Sequence, residues 1–219
     1  MPFRLIFHIF VYMNKELQEY VEREIVPRYE TFDAAHRVSH VRYVMDESMR
    51  LAQFYDVDED MVYAIAAFHD TGLVEGRERH HIVSGQIVRA DEALKRFFTP
   101  EQIVVMSEAV EDHRASAGRE PRSIYGRIVA EADRQIDGDV TLRRTVQYGL
   151  SHYPELDKEQ QYERMLAHLA EKYAEGGYLK LYIPESANAE HLAQFRALIA
   201  DAKCLRAAFE RIFAEETAR

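Results

Sequence analysis

Apolar residues recur at three- and four-residue spacing along nearly the whole chain, the pattern of amphipathic helices packed on a shared core. Leu17, Tyr20, Val21 and Ile25 make a first stripe that Pro27 ends. Val41, Val44, Met45, Ser48 and Ala52 make a second, running to about Tyr55. Val62, Ile65, Ala66 and His69 make a third, which sets His69 on its inward face. After a loop rich in Gly, Glu and Arg (76–79), Val83, Ile87, Ala90, Leu94 and Phe97 read as one further helix. Thr99-Pro100-Glu101-Gln102 is a strong start signal: an N-cap threonine, proline at the first helical position, and glutamine to complete a capping box. The stripe behind it, Ile103, Met106, Ser107 and Val110, ends on His113. Pro121 is expected to open another helix through Ile124, Ile128, Val129, Ala132 and Ile136, with Asp133 one turn from Val129 on the same side.

The C-terminal third reads as two long helices around a turn-rich insert. Tyr162, Met165, Leu166, Leu169 and Tyr173 stripe the first, and Gly176-Gly177 breaks it. The insert, about 176–184, holds the one stretch that alternates like a strand. Asn188 is expected to cap a single helix through Leu192, Phe195, Ile199, Ala202, Leu205, Phe209 and Ile212. The predicted class is all-α. Without repeats, low-complexity runs or linker-like segments, the expected organisation is a poorly defined leader over 1–13 and a single helical domain over 14–219.

Composition narrows the function. A chain of 219 residues with 47 % hydrophobic and 30 % charged residues has the make-up of an ordinary globular protein. Its formal net charge of −10 argues against binding duplex nucleic acid, which needs a basic face. A small phosphorylated substrate stays open, because a metal and two or three arginines can reverse the sign within one pocket. Cys204 stands alone, so no intrachain disulfide forms, and a reducing cytoplasm is the expected location; the thiol is expected to be buried in a helix. Residues 1–12 are apolar apart from Arg4 and His8, shorter than the roughly 20 residues that span a bilayer. No small-residue cleavage site follows, so neither a signal peptide nor a membrane anchor is expected.

Six of the ten histidines fall between positions 36 and 113, interleaved with carboxylates. Imidazoles and carboxylates in this mixture suit an oxygen- and nitrogen-ligated divalent ion. His69 and Asp70 are adjacent, and neighbouring side chains diverge on any regular element. They can share a metal only where a helix ends, and Thr71-Gly72 supplies that end, Gly being favoured just past a helix C-terminus. Three successive helices would then deliver His69, His113 and Asp133 from largely apolar faces.

The segments Ser39-His40-Val41-Arg42-Tyr43-Val44, Ala66-Ala67-Phe68-His69-Asp70-Thr71-Gly72 and Ala130-Glu131-Ala132-Asp133-Arg134 carry a resemblance. Over roughly 33–137 the chain resembles the HD-domain superfamily of metal-dependent phosphohydrolases, whose signature is a histidine, a later His-Asp pair and a distal aspartate on a helical bundle. The resemblance implies that His40, His69, Asp70 and Asp133 ligate one divalent ion such as Mn, Mg, Co or Fe. His80, His81 and His113 either bind a second ion, as in the two-metal members, or serve the substrate. The favoured expectation is one tight ion, with His80 and His113 around substrate or a weaker second ion. Asp70, His80 and the loop acid Glu78 are the catalytic candidates; Glu111 and Asp112 are weaker ones, at least one of them better read as part of a solvated face. Arg114 and Arg134 are candidates for phosphate contact, with a surface ion pair as the alternative for each. His36, four residues before His40, could contact substrate or simply hydrogen-bond at the surface. Lys180 reads as an exposed residue of a packing hairpin or lid.

The function expected from this set is hydrolysis of a small phosphorylated compound, a nucleotide first among the candidates. Two alternatives stand beside it. One is a di-iron oxygenase of the kind that resembles myo-inositol oxygenase; the other is a nucleotide- or metal-binding module without turnover.

Overall fold

A computed structural model describes residues 13–32 and 37–218; the expected leader up to residue 12, and His36, lie outside the described residues. Helix α1 (Lys15–Tyr20) is capped by Asn14, whose side-chain oxygen accepts from the N–H groups of Glu16 and Leu17. The chain continues through a wide turn (Val21–Ile25) and a 3-10 segment (Val26–Thr31) that contains Pro27. Helices α2 (Val38–Ala52), α3 (Glu59–Phe68), α4 (His80–Ala90), α5 (Pro100–Asp112) and α6 (Ile124–Asp133) follow. Helices α2, α3, α5 and α6 pack on one another, and α4 lies against α5 and the turn after α3. Their apolar faces close a core that includes Ile25, Val41, Leu51, Val62, Phe68, Met106 and Ile128. The predicted capping box of α5 is formed, with Thr99 and Gln102 each satisfying the other's backbone N–H.

Helices α7 (Gly138–His152), α8 (Lys158–Tyr173), α9 (Asn188–Ala200) and α10 (Ala202–Thr217) enclose a second cluster built on Leu142, Met165, Leu169, Phe195, Phe209 and Ile212. The fold is all-α, and no strand occurs among the described residues. No helix among them is long and apolar enough to cross a membrane.

Several boundaries differ from expectation for local reasons. The helix expected to reach Phe97 stops at Ala90, because Asp91 turns its side chain onto the N–H groups of Ala93 and Leu94 and starts a 3-10 turn instead. The helix expected at Pro121 begins at Ile124, where Ser123 accepts from Gly126 N–H. Helix α7 carries no stripe that the sequence reading singled out. Asp201 splits the expected last helix by capping α10 at Lys203 and Cys204. Cys204 therefore falls in an exposed first turn and is not a buried thiol.

The insert alternates without being a strand. Leu179 and Ile183 are buried and Lys180 is exposed, with its amine donating to the Gly177 carbonyl. The partner that replaces a neighbouring strand is Glu131 of α6. Its fully buried carboxylate accepts from the backbone N–H of Tyr182 at 2.6 Å, from Ser186 Oγ at 2.6 Å and from Asn188 Nδ2 at 2.9 Å. Asn188 is thus spent on Glu131, and it is the first residue of α9 rather than its cap. This buried carboxylate joins the two halves of the molecule just before Asp133.

Candidate metal centre

The centre is built around the end of α3. His69 still has helical backbone, while Asp70 has left it (φ −110°, ψ 7°), so two consecutive side chains reach one point. Tyr29, fully buried, locks this step: its hydroxyl donates to the Ala67 carbonyl at 2.8 Å and accepts from the Asp70 N–H at 3.2 Å. Gly72 works differently from the helix-ending role expected of it. Its φ is not positive; instead a Cβ there would lie 2.1 Å from the His80 carbonyl oxygen and 2.5 Å from Ser84 N. Glycine lets α4 close onto the turn, where Gly72 N–H donates to Ser84 Oγ at 2.7 Å. That contact sets His80 beside Asp70.

Two groups of ligating atoms result. In the first, His40 Nε2 stands 3.3 Å from His69 Nε2 and 3.2 Å from Asp133 Oδ1, and His69 Nε2 stands 3.9 Å from the same oxygen. In the second, His80 Nε2 and His113 Nε2 are 3.2 Å apart and each is 3.3 Å from Asp70 Oδ1. The other carboxylate oxygen of Asp70, Oδ2, faces the first group, 3.3 Å from His69 and 3.7 Å from His40. Asp70 therefore stands between two groups with one oxygen toward each.

The donor chemistry fits divalent cations. The Nδ1 atoms of His69, His80 and His113 lie 2.6–2.7 Å from the carbonyls of Ala66, Arg77 and Val110. A carbonyl can only accept, so each Nδ1 carries a proton and each Nε2 of the neutral ring offers a lone pair. In the second group two such lone pairs face each other at 3.2 Å, an arrangement that a cation resolves. Donors about 2.1 Å from one ion stand roughly 3.0–3.4 Å apart, close to the observed spacings.

The electrostatics point the same way. Burial opposes the charge on Asp70, yet His69 and His113 overcome it and hold the carboxyl well below the usual range. Asp133 is likewise disfavoured by burial and held down by His40, with His69 and His113 adding. Burial works against a proton on His69, but Asp70 and Asp133 outweigh it and raise the ring to about 9. Burial, then His113, lowers His80 to about 4, and burial, then Arg114, does the same for His81. Carboxylates stay ionised here and two of the rim imidazoles stay neutral, which suits metal binding, whereas the proton that the carboxylates hold on His69 is one that an incoming cation displaces.

The remaining residues singled out in the sequence are placed as follows. His81 belongs to neither group; its Nδ1 lies 3.5 Å from Arg114 Nη1 at the rim beside His80. Arg114 also donates to the backbone carbonyl of Glu78 and to Ser116 Oγ. Glu78 is exposed, and it meets the rim of the site through that carbonyl. Arg134 is buried, with one nitrogen donating to the Ala130 carbonyl and its guanidinium 4.9 Å over the Tyr182 ring. It turns toward the insert, because the helix ends at Asp133 and the Arg134 backbone has left helical geometry (φ −80°, ψ 65°). Asp112 and Glu111 form ion pairs with Arg119 and Arg122, and Asp112 is buried, so neither is the solvated acid pictured from the sequence. Tyr29, Ser84 and Glu131 were not singled out by sequence reasoning. A lone Tyr after Pro27, a helical Ser and a mid-helix Glu carry no local signal of their roles.

The HD domain family matches residues 37–135 of the chain. No curated protein matches it. Among solved structures, the chain is similar to the crystal structure of a predicted HD superfamily hydrolase from an uncultured Thermotogales bacterium. The identity is 21 % over 70 % of this chain and 86 % of the other, with a TM-score of 0.47. The matched segment holds every residue of both ligand groups, from His40 to Asp133. Over these 99 of its 219 residues the chain is similar to the HD domain family.

Proposed function

We propose that the chain is a metal-dependent phosphohydrolase with a dinuclear centre bridged by Asp70, acting on a small phosphorylated substrate such as a nucleotide. One observation carries this reading: Asp70 presents Oδ2 to His40 and His69 and Oδ1 to His80 and His113, with every contact between 3.3 and 3.7 Å. Two divalent ions in these groups would supply activated water and polarise a phosphoryl oxygen. The protein's own part is to hold the ligands rigidly. Three imidazoles are oriented through their Nδ1 protons, and the Asp70 backbone is tied to Tyr29. Arg114 and His81, at the rim of the second group, are the donors proposed for the phosphoryl oxygens. His80 serves as a ligand in this account, and Arg134 serves packing.

A second group of three ligating residues also favours a second reading, a di-iron oxygenase, since that chemistry needs His80 and His113 as true ligands. Metal analysis of protein purified without chelator, followed by phosphate release from a nucleotide panel with Mn, Mg, Co or Fe, separates the two. The hydrolase reading expects turnover with redox-inert Mg, or with Mn, and no oxygen uptake. Oxygen consumption that requires iron, with no phosphate released from any nucleotide, sinks it.

A further inference from the structure

A cleft of about 500 Å³ lies between α2, the α6–α7 junction and α9. Tyr43, Gln135, Ile136, His191, Gln194 and Phe195 line it, and no lysine or arginine does among the described residues. Its volume is in the range of small-molecule sites.

The cleft adjoins the metal centre on the Asp133 side. Tyr43 follows His40 by three residues on α2 and so shares its face, and Gln135 follows Asp133 by two. Asp133 is also the most open of the ligands, with a quarter (25 %) of its side chain exposed against 0–14 % for the other five. The ligand groups therefore open to solvent most at Asp133, beside the cleft. Arg114 stands at the opposite end, beyond His80 and His113.

We infer that this cleft binds the uncharged heteroaromatic part of the substrate, a nucleobase with its sugar, while the phosphate lies over the ions toward Arg114. The inference rests on the phosphohydrolase reading. A wall whose described residues include no lysine or arginine and do include the Asp137 carboxylate disfavours a second phosphate. The ring of Phe195, fixed edge-on against Tyr173 at 5.1 Å, and the side chain of Ile136 offer apolar walls. Gln135, Gln194 and His191 offer donors and acceptors for the edges of a planar heterocycle. Gln194 is already steadied by Nε2 donating to Glu190 at 3.1 Å. Gly138 keeps the cleft deep: its backbone approaches so closely that a Cβ would meet the Phe195 ring at 3.3 Å.

The test is binding of the five common nucleosides, which carry no phosphate, to the metal-loaded protein, read by ligand-observed NMR and calorimetry. At least one should bind with a dissociation constant in the millimolar range or below. Gln194→Trp should fill the cleft and weaken that binding tenfold or more, and Tyr43→Ala should weaken it too, with metal content as in the parent. For the nucleotide turned over best, Gln194→Trp should raise KM rather than lower kcat. Absence of nucleoside binding to the parent, or equal binding by both variants, overturns the cleft assignment. Hydrolysis of p-nitrophenyl phosphate is followed in parallel. Its absence with every metal counts against the hydrolase reading, and nucleoside binding still reports on the cleft by itself.

Discussion

Asp70 and Tyr29 show how much of the proposed centre depends on single atoms. The Tyr29 hydroxyl holds the Asp70 N–H and the Ala67 carbonyl together on either side of His69. Tyr29→Phe keeps the ring and removes only that bridge. It should destabilise the chelated protein by about 1–3 kcal/mol in urea unfolding, the cost of leaving buried groups unpaired. It should also weaken metal binding, because Asp70 is then free to turn; unchanged stability and affinity would show that the bond is incidental. At this scale the sequence displayed the residue types well. His40, His69, Asp70 and Asp133 stand in a recognisable order, and the structure brings them together with His80 and His113. What a sequence cannot show is that Asp70 divides its oxygens between two groups, because that follows from the backbone turn at residue 70 and from Gly72 admitting α4. The direction of Arg134 is illegible for the same reason: it is set by where α6 ends, not by its neighbour's role.

Between elements, Glu131 is the main tie. It receives four donors from Tyr182, Ile183, Ser186 and Asn188, and Arg134 adds a stack on Tyr182 from the next turn. Glu131→Ala strands those donors and should cost at least ~3 kcal/mol, at about 1–3 kcal/mol for each buried group left unpaired. Arg134→Ala should cost less, about 1–2 kcal/mol from the lost stack, with kcat/KM for the nucleotide changed by less than twofold. Thermal unfolding and steady-state kinetics of the two variants check both statements; a tenfold kinetic loss in Arg134→Ala at unchanged stability would restore the phosphate-contact role. Helix starts were the most legible elements, since Thr99 and Gln102 name their own cap. Helix ends at Asp91 and Asp201 were less so, because either residue can sit on a helix or cap the next turn, and tertiary context decides. The insert misled because burial of Leu179 and Ile183 mimics a strand's alternation when Glu131 takes the place of the neighbouring strand.

Across the whole molecule, two apolar clusters share one buried carboxylate, and acid should act on them through histidine as well as carboxylate groups. His168 of α8 is half-buried near Tyr173, and burial, then Lys172 and Arg164, lowers its pKa. A histidine with a depressed folded pKa stays neutral in the fold while the unfolded chain takes up a proton near its ordinary value of about 6.5. Its contribution is therefore complete above that pH and is lost as pH falls from there toward the folded value. NMR titration should place the His168 midpoint below 6.5, and His168→Gln should make stability less sensitive to acid in that window; a midpoint at or above 6.5 contradicts this. The net charge of −10 is also a whole-molecule property, and it is compatible with an anionic substrate because the proposed ions and Arg114 set the local sign.

The central claim is a centre of two ions bridged by Asp70, and metal stoichiometry by native mass spectrometry tests it most directly. Protein saturated with Mn should carry two ions per chain, His80→Ala should keep one in the His40, His69 and Asp133 group, and Asp70→Ala should hold neither tightly. One ion per chain in the parent, unchanged by His80→Ala, would contradict the account.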